Sequence, residues 1–252
     1  MNILSRYGIK EVADVSFYQI NDDGSMGAPV LYLDSLKVST IEQTAENTSA
    51  KGGKGNVDLV MWDYGREITV TLEDALFSAK SMALMFGSLF DQEDKQGTKA
   101  LTSATSIYRT VPKVDFESVL GTEGKAVVNG STFTVTDTKY YDENGDDAEK
   151  ASAAYAVVAL TVDGVEIAIS SDTFPGTYTV IGDTYARSET TGKDEFFQFV
   201  IQKAKVLSEV TLTMEAEGDP STFSMNLKVL RPADKQMMKL IKYTVPEATV
   251  GG

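Results

Sequence analysis

The chain contains no cysteine and no histidine. The first absence removes disulfides, thiolate metal ligands and cysteine nucleophiles. The second removes the one side chain whose ordinary pKa lies near neutrality. Triads built on Ser-His or Cys-His pairs cannot be assembled, and a zinc site would lack its usual nitrogen and sulfur ligands. Carboxylate-only chemistry, as in glycoside hydrolysis, stays open. Yet no acidic pair stands out, because pairs such as Glu73 with Asp74 or Asp183 with Glu189 are what 37 acidic residues supply by chance. The sequence therefore predicts a protein that is not an enzyme and that carries no cofactor and no metal.

Positive charge is also scarce. Lys and Arg number 23 against 37 Asp and Glu, a net charge of −14. A surface this acidic repels phosphate, which argues against tight nucleic-acid binding but does not exclude a protein past which DNA slides without sticking. No apolar run approaches the ~20 residues that span a bilayer, and Met1–Lys10 has no apolar core of the signal-peptide kind. The expectation is a chain made and held in the cytoplasm until it assembles. Hydrophobic residues make up 42% of the 252, enough for a real core.

What is present is period-two alternation, the mark of half-buried strands. Strands are expected over Glu11–Ile20 and Val30–Thr40, separated by the turn-forming Asn21-Asp22-Asp23-Gly24. Glu42–Asn56 is polar and Gly-rich, too poor in apolar surface to order itself, and reads as a long loop. Val57–Trp62 and Arg66–Leu72 follow as strands on either side of Asp63-Tyr64-Gly65. One helix is expected over Ala79–Phe86, with Ser78 as N-cap, Gly87 just past its end and Met82, Met85 and Phe86 on its packing stripe. Between Ser106 and Ser170 a separate β unit is expected. Its strands are Ala126–Val128, Thr132–Thr136, Tyr155–Val162 and Val165–Ile169, the last two joined at Asp163-Gly164. Phe196–Lys203 is one strand of the last part. Glu209–Glu217 then alternates cleanly, turns at Gly218-Asp219-Pro220 and pairs with Phe223–Val229. No internal repeat is evident.

Three short motifs admit a chemical reading, and each has a plainer one. Gly52-Gly53-Lys54-Gly55 is not a phosphate loop, because Gly55 stands where Ser or Thr is needed and no helix follows. Asp142, Asn144 and Asp146 have the spacing of a calcium loop, but Asp147 and Ala153 occupy its Gly and Glu positions. A solvated acidic turn is favoured. Trp62-Asp63-Tyr64 resembles a sugar-binding aromatic group, but beside a core strand it reads better as a packing or interface anchor. On Glu209–Glu217 the glutamates Glu209, Glu215 and Glu217 share an outer face, either an ordinary solvated surface or the wall of an acidic channel.

Taken in order, the strand pair with its long excursion, the run Trp62–Ser78, the short helix and the closing segment Glu209–Pro220 resemble the tail-tube (major tail) proteins of long-tailed bacteriophages. The likeness covers about 1–103 and 173–245. It implies a mainly-β fold, a tail-tube-type β-sandwich or barrel with one short flanking α-helix. That core domain is discontinuous, 1–105 with 171–252, and 106–170 is an inserted small β domain facing outward. It further implies a structural virion protein whose subunits join into stacked, hexameric rings around an acidic conduit for DNA ejection. On this carry-over Ala50, Lys51, Gly52, Gly53, Lys54, Gly55 and Asn56 form an assembly loop. Trp62 and Tyr64 anchor an interface, and Glu209, Glu215 and Glu217 face the lumen. The partners implied are other copies of the chain, with sheath, tape-measure, baseplate and connector proteins, while DNA passes without specific binding. The type VI secretion tube shares this architecture, so fold alone does not fix the function. The competing reading is a β-rich surface adhesion or carbohydrate-binding virion module.

Overall fold

The computed structural model describes residues 6–9, 11–87, 103–164, 167, 169, 171–210 and 222–243. In chain order β1 (Tyr7–Ile9), β2 (Asp14–Ile20), β3 (Met26–Leu33), β4 (Leu36–Gly52) and β5 (Val57–Asp74) lead to helix α1 (Ala79–Phe86). Then come β6 (Ser103–Pro112), a 3-10 turn at Lys113–Asp115, helix α2 (Phe116–Leu120), β7 (Lys125–Val128), β8 (Ser131–Tyr141) and β9 (Tyr155–Gly164). The chain continues with β10 (Thr177–Ser188), β11 (Asp194–Val206), β12 (Phe223–Val229) and β13 (Lys239–Tyr243). The fold is mainly β, and its contacts divide it into two compact units, Met1–Leu89 with Ile169–Gly252, and Phe90–Ala168.

Among the described residues, the first unit is a sheet of nine antiparallel strands. Its main path runs β3-β2-β10-β11-β12-β5-β4, with β1 added to β10 and β13 to β11. The two ends of this path, β3 and β4, are separated in sequence only by Asp34 and Ser35. A sheet whose outermost strands are joined by two residues must curl back on itself. The joint is pinned by Asp74, whose Oδ1 accepts the Ser35 hydroxyl at 2.6 Å and the Leu76 amide at 3.1 Å. The expected single strand over Val30–Thr40 is thus two strands at opposite ends of the sheet. The enclosed core gathers Val15, Phe17, Leu31, Leu33, Leu36, Val70, Leu72, Ile201, Val206 and Leu227, among others.

Helix α1 covers part of this core. Ser78 caps it by accepting the Ser81 amide, and Ser81 answers by accepting the Ser78 amide, a reciprocal capping box. Gly87 ends it in the left-handed region, at φ 74. The buried residues are Ser81, Ala83, Leu84 and Met85, while Met82 and Phe86 are only half-buried. The expected stripe of Met82, Met85 and Phe86 is therefore rotated by about one position, because 81, 84 and 85 share a face at i, i+3, i+4 spacing.

The second unit is a four-stranded sheet ordered β6-β9-β8-β7, packed with α2 around Val111, Phe116, Ala126, Val158 and Leu160. β6 begins at Ser103, so it crosses the boundary expected at 105/106. Asp163 and Gly164 are not a turn. They extend β9 and pair with Ala104 and Ser103 of β6, so the expected hairpin there does not form. Neither β6 nor α2 is among the elements expected from the sequence.

Candidate assembly surface

β4 and β5 are 17 and 18 residues long and pair from Leu36↔Asp74 out to Gly52↔Val57. This is the main departure from expectation. Glu42–Gly52 is not a loop, because its backbone groups are satisfied by the neighbouring strand and it need not bury its own polar side chains to be ordered. The true connection is Gly53–Asn56. Three of these four residues, Gly53, Gly55 and Asn56, have positive φ, which explains the glycines as turn chemistry. Of the expected assembly loop, Ala50, Lys51 and Gly52 lie in β4, and Gly53, Lys54, Gly55 and Asn56 form the exposed tip.

The hairpin has two halves. From Ile68 to Asp74 every second residue of β5 is buried; from Val57 to Arg66 every residue is exposed. The change falls at a bulge. Thr44 pairs with Glu67 and Glu46 with Tyr64, so Gly65 and Arg66 together oppose Ala45. Gly65 sits at φ 61, the conformation that a glycine-led bulge requires. Such a bulge bends and twists the ladder where the buried root gives way to a free arm. The arm from Gly65 to Val57 is roughly 27 Å long.

A second bulge sorts the arm's side chains. Ala50 pairs with Val60 but Lys51 pairs with Asp58, which leaves Leu59 extra on β5. Strict alternation would split the apolar residues between the two faces. Instead, Tyr64, Trp62, Val60 and Val57 lie opposite Glu46, Thr48, Ala50 and Gly52 along one face. The Leu59 Cδ1 lies 3.0 Å from where a Gly52 Cβ would stand, which puts Leu59 on that face too. On the other face Asp58 accepts the Ser49 hydroxyl at 2.5 Å and lies 3.4 Å from the Lys51 ammonium. The arm is therefore apolar on one side and mostly polar on the other. Its apolar residues are solvent-exposed, with Leu59 at 63%, Trp62 at 54% and Tyr64 at 53%. A soluble monomer rarely exposes such a strip without a partner for it.

Most of the expected lumen-facing set falls outside the described residues. Glu209 is exposed and outside any strand, and Glu215 and Glu217 lie outside the described residues, as does most of the Glu209–Glu217 strand. β12 pairs with β5 along Phe223–Lys228 and with the end of β11 at Leu227–Val229. A different acidic row lies on the sheet's outer face. Asp14 stands directly opposite Asp183, with Asp34 just past the end of β3. The Tyr32 hydroxyl donates to Asp14 at 3.4 Å. Its pKa is held above the usual phenol value, first by the Asp14 charge, with desolvation, that hydrogen bond and the Asp34 and Asp183 charges adding to it. Only the strand register, which sequence patterning did not supply, brings these acids together.

The acidic turn of the second unit is built by hydrogen bonds. Asp142 Oδ1 accepts the amides of Asn144 at 2.8 Å and Asp146 at 3.0 Å. Among the described residues no three His, Cys, Asp or Glu side chains converge as a metal ion would require. No described helix is long and apolar enough to cross a membrane.

A mainly-β body that extends a long two-stranded arm with one apolar face has the build of a structural subunit. The chain belongs to the YomU/Tube protein family, whose model matches residues 7–242, and is thus a phage-related tube protein. No curated protein matches it.

Proposed function

We propose that this chain is the repeating subunit of a phage tail tube, a structural virion protein rather than an enzyme. Copies join side by side through their sheets into rings, hexameric by the resemblance noted above, and the rings stack into a conduit for DNA during ejection. The observation that carries this reading is the exposed arm of β4 and β5, whose apolar face has no partner among the described residues. Ring formation is supported by the outer edges of β3 and β4, which have no strand partner among the described residues. Unpaired edges of this length are normally covered, and lateral pairing between copies would cover them. The Asp14–Asp183 row supports a wall that repels phosphate and lets DNA slide without sticking. Assembly would take place in the host cytoplasm, with sheath, tape-measure, baseplate and connector proteins as further partners.

Electron microscopy of the purified protein across a concentration series tests the proposal. Rings or tubes are expected. A monodisperse monomer at every concentration and salt condition would sink it.

One observation favours a second reading for the inserted unit. Tyr108 on β6 is 75% exposed, and Tyr141 and Tyr155 stack with ring centroids 5.5 Å apart. Saturable binding on a glycan array, lost in Tyr108→Ala, would establish a carbohydrate-binding role.

A further inference from the structure

The arm's apolar face is not the only uncovered apolar surface of the first unit. Leu76 is 68% exposed and Phe77 is 59% exposed, at the N-terminal end of α1. Phe174 is 66% exposed and lies at the other end of the helix, where its backbone abuts Gly87. Leu76 and Phe77 before α1 and Phe174 beside its end are taken together as the α1 patch, and the Phe77 ring also rests on Phe223, centroids 4.6 Å apart.

One chain cannot bring the two surfaces together. β5 itself separates them: from Val60, in the middle of the apolar strip, to Asp74, where the strand ends, is roughly 46 Å of strand at the usual rise per residue. A contact between two arms related by a two-fold axis would cover the arms and leave the helix patch bare. A head-to-tail contact covers both patches with a single interface, and an interface between unlike surfaces propagates instead of closing as a dimer. Charge agrees with this. Lys80 is the one charged side chain of α1 and is exposed. Glu46 is exposed and lies beside Tyr64 on the arm's apolar face.

We propose that the arm's apolar face docks on the α1 patch of a second copy displaced by roughly 46 Å along the β5 direction, with Glu46 of one copy facing Lys80 of the other. This rests on the tail-tube reading and names the surface that receives the arm.

Because the chain has no cysteine, a paired substitution reports the contact directly. The variant carrying both Glu46→Cys and Lys80→Cys, oxidised after assembly, should give a ladder of covalent multimers on a non-reducing gel, and neither single variant should. Separately, Glu46→Lys and Lys80→Glu should each weaken assembly at least several-fold, and the double charge swap should restore it. Both positions are exposed, so circular dichroism should show every variant folded. Wild-type tubes together with no ladder and no rescue would overturn this docking and leave the tail-tube reading standing. Cross-linked dimers from Glu46→Cys alone would overturn it in favour of arm-to-arm pairing. Failure of the wild type to form any rings or tubes would remove both.

Discussion

At the scale of single residues, two glycines are held by their surroundings in different ways. Gly87 combines a left-handed backbone with a close approach: at φ 74, an added Cβ would overlap the Phe174 carbonyl carbon. Gly87→Ala should therefore cost about 1–3 kcal/mol, read as a lower urea midpoint at unchanged slope. Gly182 has an ordinary backbone but lies opposite Phe199, whose ring fills the space that a Cβ at Gly182 would take. Gly182→Ala should cost about 1–3 kcal/mol by overpacking, and Phe199→Leu in the same chain should return part of that loss, a coupling that a double-mutant cycle measures. Asp142 is a case of charge instead of space. The amides of Asp146 and Asn144 hold its carboxyl below the usual carboxylate value. A pKa lowered on folding means that the turn's contribution is present above the ordinary Asp pKa and is lost as pH falls through the lowered one. The NMR shifts of the Asn144 and Asp146 amides should move together in that acid window, and Asp142→Ala should abolish the transition.

At the scale of elements, what could be read from the sequence was what short-range patterning controls. α1 announces itself through Ser78 and Gly87, and the root of β5 through Ile68, Val70 and Leu72. β10 escapes notice because Gly182 and Asp183 interrupt its middle, and only the aromatic cover from Phe199 on the adjacent strand makes that glycine tolerable. The distal part of β4 escapes notice for a different reason. Glu42–Lys51 has almost no apolar content, and its order comes from the ladder that Asp58–Thr69 provides. The one-sided character of the arm was beyond reach altogether, since it depends on the bulge at Leu59. Because the arm's apolar residues are exposed in the monomer, truncating them should separate folding from assembly. Trp62→Ala combined with Val60→Ser should leave the unfolding free energy within about 0.5 kcal/mol of wild type. The same variant should fail to form tubes by electron microscopy. In contrast Leu72→Ala, at a site only 1% exposed, should cost about 2–5 kcal/mol.

At the scale of the whole molecule, the division into two units has a covalent logic. The first unit is interrupted in sequence, but its sheet and core are complete without Phe90–Ala168. The chain leaves it after Gly87 and has returned by Phe174, and these two points are in van der Waals contact. An insertion whose ends meet in this way can be exchanged for a short connection with little strain, because loop closure depends only weakly on length. Excising Phe90–Ala168 and joining Leu89 to Ile169 leaves a short loop between those touching points. The shortened chain should unfold cooperatively, with retained β circular dichroism. If assembly belongs to the arm, α1 and the sheet edges, it should also still form tubes of unchanged axial repeat. Loss of tubes from a folded, shortened chain would mean that the inserted unit takes part in the ring or stacking contacts.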